Sequence, residues 1–216
     1  MLKKIFVITI FVFSSFSLLA NENQSYKGKD FYIDLNLGVA SHDTGVTATS
    51  GTTVDQDDLG YMINLGRRID NVWAIEGMYY DMGTASITGN ANDTFVLDGT
   101  TYVWNTSGTL SAGVTGFGAA AVGYLPTDEW LEVYGKIGFH LWDQSGSATF
   151  LTNNTSFSAQ FYDEGADLYF GFGVAANIVE DLKITVGYDA LNFTDELDPT
   201  VDYYTTFLYG GIKYEF

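Results

Sequence analysis

Eight segments of this chain alternate between bulky apolar residues and small or polar ones. Successive side chains on a strand point to opposite faces, so a period of two marks strands whose two faces meet different surroundings. In "FYIDLNLGVA", Ile33, Leu35, Leu37 and Val39 share one face while Asp34, Asn36 and Gly38 share the other. "LGYMINLG" sets Tyr61, Ile63 and Leu65 against Met62 and Asn64; "VWAIEGMYYD" sets Trp73, Ile75 and Tyr79 against Ala74, Glu76 and Met78. The pattern is weakest in "SAGVTGFGAAAVGYL", where Val114, Ala120, Val122 and Tyr124 suggest the apolar outer face. It is clearest in "WLEVYGKIGFHLWD", "DLYFGFGVAANI", "LKITVGYDAL" and "TTFLYGGIKYEF". There Glu132, Lys136, His140, Thr185, Asp189 and Lys213 oppose runs of Leu, Ile, Val and Phe. The segments are close to the 9–11 or so residues with which a tilted strand crosses hydrocarbon.

The connections alternate as well. Arg68–Val72, Pro126–Glu129 and Val179–Asp181 are short, whereas 41–58, 83–108, 144–166 and 194–202 are long and polar. Tight turns at one end and four long loops at the other describe antiparallel up-and-down strands, with both termini at the short-turn end. A soluble eight-stranded barrel would keep its apolar face inside. Here the faces bearing Asp34, Asn64, Glu76, Lys136, Asp189 and Lys213 also carry many glycines with bulky Tyr and Met, a mixture suited to a narrow lumen. The opposite faces are nearly free of charge, as a lipid-facing band must be. Trp73, Tyr124, Trp130, Tyr214 and Phe216 lie near the short-turn ends, where an interfacial aromatic girdle sits. The fold class is therefore all-β: an eight-stranded antiparallel up-and-down transmembrane β-barrel.

The N-terminus supplies the route to such a membrane. "MLKKIFVITIFVFSSFSLLA" has Lys3 and Lys4 ahead of the apolar run Ile5 to Phe13, the layout of a secretory signal peptide at 1–20, followed by a barrel domain at 21–216. Leu18 departs from the small residue preferred near a cleavage site. Cleavage after Ala20 takes the formal charge from −18 to −20, which argues against nucleic acid as a partner. The absence of cysteine excludes a disulfide scaffold and a lipidated N-terminal Cys. No later apolar run approaches the 18 or so residues of a membrane helix. These features describe an exported bacterial protein of the outer membrane.

The signal peptide, "WAIEGMYYDMG", "AVGYLPTDEWLEVYGKIGFHLWD", "DLYFGFGVAANIVEDLKITVGYD" and the terminal "GGIKYEF" together resemble the small outer-membrane β-barrel family of OmpA-type transmembrane domains. The resemblance covers essentially the whole mature chain. It implies contact with outer-membrane lipid and lipopolysaccharide, and a C-terminal strand read by the barrel-assembly machinery through Ile212, Tyr214 and Phe216. Unlike full OmpA-type proteins, this chain is expected to end at the barrel, without a peptidoglycan-binding domain. That family spans structural proteins, adhesins and resistance factors.

The ionisable residues of the inner faces are the most pointed chemical features. Asp34 and Lys213 stand at similar heights on strands that closure makes neighbours, and Glu76 and Lys136 can meet across the lumen with Glu132 nearby. A lone buried charge costs several kcal/mol and a paired one is tolerable, so these read as a plug of ion pairs or as the gate of a narrow path for ions or small solutes. Catalysis is not expected. His140 is followed two residues on by Trp142, not Ser, so the His-x-Ser arrangement of lipid A deacylases is missing. "GFGAAA" at Gly116–Ala121 has no following helix, and "DQDD" at Asp55–Asp58 fails as a calcium loop because Leu59 and Gly66 occupy ligand positions. The sequence calls for no cofactor and no metal. It points to a non-catalytic outer-membrane barrel with a structural or surface-interaction role and an unidentified surface ligand.

Overall fold

A computed structural model describes residues 29–97, 99–125, 130–152, 155–194 and 202–216; the side chains of Thr152 and Asp202 are not part of that description. The signal peptide expected at 1–20 and the short turn at 126–129 lie outside the described residues. Eight long strands carry the fold: β1 Phe31–His42, β2 Asp57–Arg68, β3 Trp73–Gly89, β4 Ser107–Leu125, β5 Leu131–Thr152, β6 Thr155–Val179, β7 Leu182–Thr194 and β8 Asp202–Glu215. Each pairs antiparallel with its neighbours in sequence, and β8 returns to β1, from Tyr32↔Glu215 to His42↔Thr205. The ring is closed, so at membrane level every strand is paired on both sides, which hydrocarbon demands of its backbone donors and acceptors.

Alternation becomes two environments. Leu35, Leu37, Phe139, Phe172, Val186 and Leu208 are exposed on the outside, while Asp34, Glu76, Lys136, Thr185, Asp189 and Lys213 are buried inside. β4 departs from the sequence reading. Val114, Ala120, Val122 and Tyr124 are buried in the lumen, and Phe117 takes the outer face. With glycine or alanine at so many positions of β4, side-chain size could not mark the face; the neighbouring strands decide it. Tyr124 therefore leaves the expected girdle.

Glycine fills the inner faces for a packing reason. Tyr32, Tyr80, Tyr134, Tyr169 and Tyr209 stand directly opposite Gly66, Gly116, Gly173, Gly138 and Gly187 on adjacent strands. Each tyrosine lies over its glycine with no room for a β-carbon. The rings thereby fold flat into a lumen too narrow for them to stand upright.

The terminal residue completes the seam. Phe216 N–H donates to Phe31 O at 2.8 Å, and Phe31 N–H donates back at 3.3 Å. Their rings stack at 6.2 Å, Tyr214 stacks on Phe216 at 6.4 Å, and Arg67 and Lys29 sit over Phe31 and Tyr214. Lys29 also pairs with Asp181 at 2.7 Å, a hydrogen bond that holds its pKa above the usual lysine value. This is an aromatic and cationic girdle at the short-turn end.

Two of the long polar segments expected as loops are largely strand. β3 to β6 continue beyond the ring as a sheet, from Gly89↔Gly108 through Ser107↔Leu151 to Thr152↔Thr155. Thr, Ser and aromatic residues at alternating positions suit a strand in water as well as one in lipid. β3 leaves the barrel through a bulge between Asp81 and Thr84, where Gly83 adopts φ +69. Asp81 accepts from Gly83 N–H and Asp58 from Thr84 N–H, fixing the kink. Thr53–Asp55 adds to the free side of β3, and Val46–Ala48, Thr94–Leu97 and Thr100–Val103 form a small sheet of their own.

Candidate functional site

Two regions hold the chemistry: the lumen, and the sheet above it. At the short-turn end of the lumen, Arg68 pairs with Glu132, and Lys183 bridges Glu132 at 2.9 Å and Glu215 at 2.6 Å. Residues from β2, β5, β7 and β8 thus tie the opening together. Above them Lys213 Nζ lies among the rings of Tyr32, Tyr134 and Tyr124, at 4.7, 4.9 and 5.4 Å from their centroids. Tyr32 hydroxyl donates to Glu76 at 2.8 Å, and Glu76 pairs with Lys136 at 2.8 Å, both side chains 1% exposed.

The next layer is polar and less completely paired. The Thr185 hydroxyl lies 3.1 Å from Asp34 Oδ1 and 3.0 Å from Asn36 Oδ1, and its single proton can serve one of them at a time. Tyr209 hydroxyl reaches Asp189 at 3.5 Å. Asp34 Oδ2, Asp189 Oδ2 and both amide atoms of Asn64 have no hydrogen-bond partner among the described residues. Above this layer the lumen turns apolar: Met62, Met78, Met82, Trp142, Phe193 and Phe207 pack into one cluster. His140 is built into that wall. Its Nε2–H donates to Asn192 O at 2.9 Å, so Nδ1 accepts from Tyr80 hydroxyl at 2.7 Å. A cavity of about 280 Å³ lies above the cluster, bordered by His42, Val114, Phe161, Phe193 and Tyr203.

The residues singled out in the sequence are distributed as follows. Glu76 and Lys136 meet. Asp34 and Lys213 are register partners, yet no ion pair joins them: Lys213 turns to the tyrosine rings and Asp34 to Thr185. Lysine's long stem lets the ammonium reach an aromatic cage with its negative ring faces, whereas the short Asp side chain stays at its own level. Glu132 pairs with Arg68 and Lys183, not with Lys136. Arg68, Lys183 and Glu215 were not singled out. Their signal was parity, since Lys183 and Glu215 alternate inward with Thr185 and Lys213. Arg68, at the start of a short connection in the sequence reading, closes β2 and turns into the lumen. Ile212, Tyr214 and Phe216 face outward and are exposed.

The acidic segments of the sequence serve locally. Asp58 accepts from Leu59 N–H and Thr84 N–H, and Asp167 accepts from Trp142 Nε1–H, Thr194 N–H and the Thr194 hydroxyl. Asp195–Asp198 lies outside the described residues. "GFGAAA" runs along β4.

A closed ring of eight antiparallel strands, apolar without and polar or filled within, is the geometry of a membrane-spanning barrel. The outer membrane protein beta-barrel domain matches residues 8–216. The chain belongs to that family. Its place is the outer membrane. Among solved structures, this barrel is similar to OprG from Pseudomonas aeruginosa, with a TM-score of 0.53 and 10% identity over 90% of this chain and 99% of that one. The outer membrane protease OmpT from Escherichia coli gives 0.51 and 10% over 90% and 99%. Ail of Yersinia pestis, crystallised with the heparin analogue sucrose octasulfate, gives 0.46 and 16% over 86% and 99%. At such identities the likeness is one of fold. No curated protein matches this chain.

Proposed function

We propose that this outer-membrane barrel is non-catalytic and acts at the cell surface, maintaining envelope integrity and making contacts through its outer sheet. The observation that carries the reading is the extension of β3 to β6 beyond the ring, which holds Tyr102, Leu151, Phe157, Phe161 and Tyr162 exposed on or beside a rigid support. Binding groups carried on strands are better positioned than groups on a free loop. The non-catalytic part is supported by His140, whose two ring nitrogens are both engaged by the wall, and by Trp142, which stands at the Ser position of the His-x-Ser arrangement and packs into the apolar cluster. The exposed apolar belt would contact outer-membrane lipid and lipopolysaccharide, and the outward Ile212, Tyr214 and Phe216 would be read by the barrel-assembly machinery.

The test is a sheet deletion, joining β5 to β6 and β3 to β4 by short turns just above the ring. The truncated chain is expected to keep heat-modifiable migration in the membrane fraction while cells lose resistance to deoxycholate or surface adhesion. Wild-type behaviour in both assays after deletion of the whole gene would contradict the reading. A second reading, a narrow pore gated by lumen ion pairs, is favoured by the charged and partly unpartnered lower layers. Under it, Lys136→Ala changes conductance in planar bilayers; unchanged conductance removes the gate.

A further inference from the structure

The sheet above the membrane has one long edge with no strand beside it among the described residues. β6 pairs with β5 from Thr155↔Thr152 to Ala176↔Leu131, but with β7 only from Tyr169↔Leu191 downward. The shared stretch ends at Asp167, whose carboxylate is taken up by Thr194. Among the described residues, 155–166 are therefore a free edge, roughly 40 Å long at ~3.3 Å per residue. Asn177 N–H donates to Trp130 O, so odd-numbered residues of β6 turn their backbone groups towards β5. The even-numbered residues from Ser156 to Ala166 turn theirs outward. An unpaired row of this kind is a template for another strand.

Edges are ordinarily protected by lysine, proline, bulges or brevity. This one has none of these: 155–168 contains no Lys and no Pro, and its register against β5 is unbroken. Phe157, Phe161 and Tyr162 on it are 57%, 43% and 74% exposed. Its one guard is charge, from Asp163 and Glu164.

Charge also selects the occupant. The segments 41–58, 83–108, 144–166 and 194–202 contain no Lys or Arg, while they carry four, two, two and four acidic residues in turn. A second copy of this chain would bring like charge to like, and a polyanion would be repelled. A strand laid against β6 puts its side chains about 4.5–5.5 Å from those opposite, well inside the screening length of about 8 Å at physiological salt. Lysine or arginine opposite Glu164, alternating with apolar residues opposite Phe157 and Phe161 on the other face, satisfies both features of the edge.

We propose that the free edge of β6 receives an extended cationic peptide segment by strand addition. The proposal rests on the surface role above and names the chemistry of its partner. It is tested on the full chain in nanodiscs with an alternating Lys-Val octapeptide as the probe. A copy N-methylated at alternate residues and a Glu-Val octapeptide serve as controls, with binding followed by fluorescence anisotropy. The Lys-Val peptide is expected to bind, and the N-methylated copy to bind at least about tenfold more weakly, because two or more backbone hydrogen bonds are lost. Ser158→Pro removes an outward N–H and leaves the bonds to β5 intact, so it should weaken binding by about tenfold without altering heat-modifiable migration. Asp163→Asn with Glu164→Gln should cost about threefold to tenfold and flatten the salt dependence.

Equal affinity of the N-methylated copy, or of Ser158→Pro, would overturn the proposal by showing that charge alone holds the peptide. Equal binding of the Glu-Val peptide, or self-association in place of peptide binding, would overturn it too. Failure of peptide binding in a protein whose sheet deletion still sensitises cells removes this proposal and leaves the surface role standing. Peptide binding as described, with cells indifferent to sheet deletion, removes only that role.

Discussion

The lower lumen and the outer sheet treat charge in opposite ways. Inside, Arg68, Lys136, Lys183 and Lys213 are buried, and each is held by carboxylates or by tyrosine rings from other strands. Outside and above, the acidic residues of the long segments have no basic residue in those segments to answer them. Burial explains the difference. A charge taken out of water must be neutralised on the spot, whereas one left in water can remain bare. The buried basic side chains of the lower lumen are thus all answered from within the barrel, whereas the acidic residues of the outer segments are not answered within those segments. The contrast is what the proposed surface role rests on: binding above the membrane, structure within it.

The largest way to break that contrast is to remove one partner of the deepest pair. Lys136→Met leaves Glu76 buried opposite an apolar side chain and should destabilise the barrel by about 3–5 kcal/mol. Urea unfolding in lipid vesicles, followed by tryptophan fluorescence, measures it. Adding Glu76→Gln should restore most of the loss, because the uncompensated charge goes with it. If the single variant is as stable as the native chain, the pair is not the structural element described here.

A smaller effect separates packing from charge in the same region. Gly173→Ala places a β-carbon against the Tyr134 ring, which also flanks Lys213. Overpacking of this kind costs about 1–3 kcal/mol, and the same unfolding assay should register it. A cost near zero would mean that the tyrosine rings are free to rise from their glycines. The smallest effect belongs to the outer sheet. Asp163→Asn with Glu164→Gln should leave unfolding within about 0.5 kcal/mol, as solvated surface changes do. A loss comparable with that of Lys136→Met would erase the distinction between the two regions.

Much of the barrel was legible in the sequence because lipid and lumen impose unlike demands on alternate residues. Ile33 to Val39 and Leu182 to Tyr188 declare their outer faces unaided. β4 did not, since Gly116, Gly118, Ala119 and Ala121 give neither face a distinctive size. The sheet above the membrane was hidden for a related reason: in water both faces of a strand may be polar, so Thr, Ser and Gln at 144–166 read as loop. Glu76 and Lys136 lie on inward faces that parity identified. The cage around Lys213 depended on the reach of a lysine stem and on three tyrosines from separate strands, which spacing along the chain does not encode.

Ion flux tests the central claim most directly. Heat-modifiable, correctly folded chain is reconstituted into planar bilayers and its conductance recorded at several voltages. A lumen sealed by the Met62, Met78 and Phe207 cluster above the ion pairs of Glu76, Lys136, Glu132 and Lys183 should give no sustained steps over the protein-free baseline. Sustained open steps from the native chain would contradict the account and move the function from the outer sheet into the lumen.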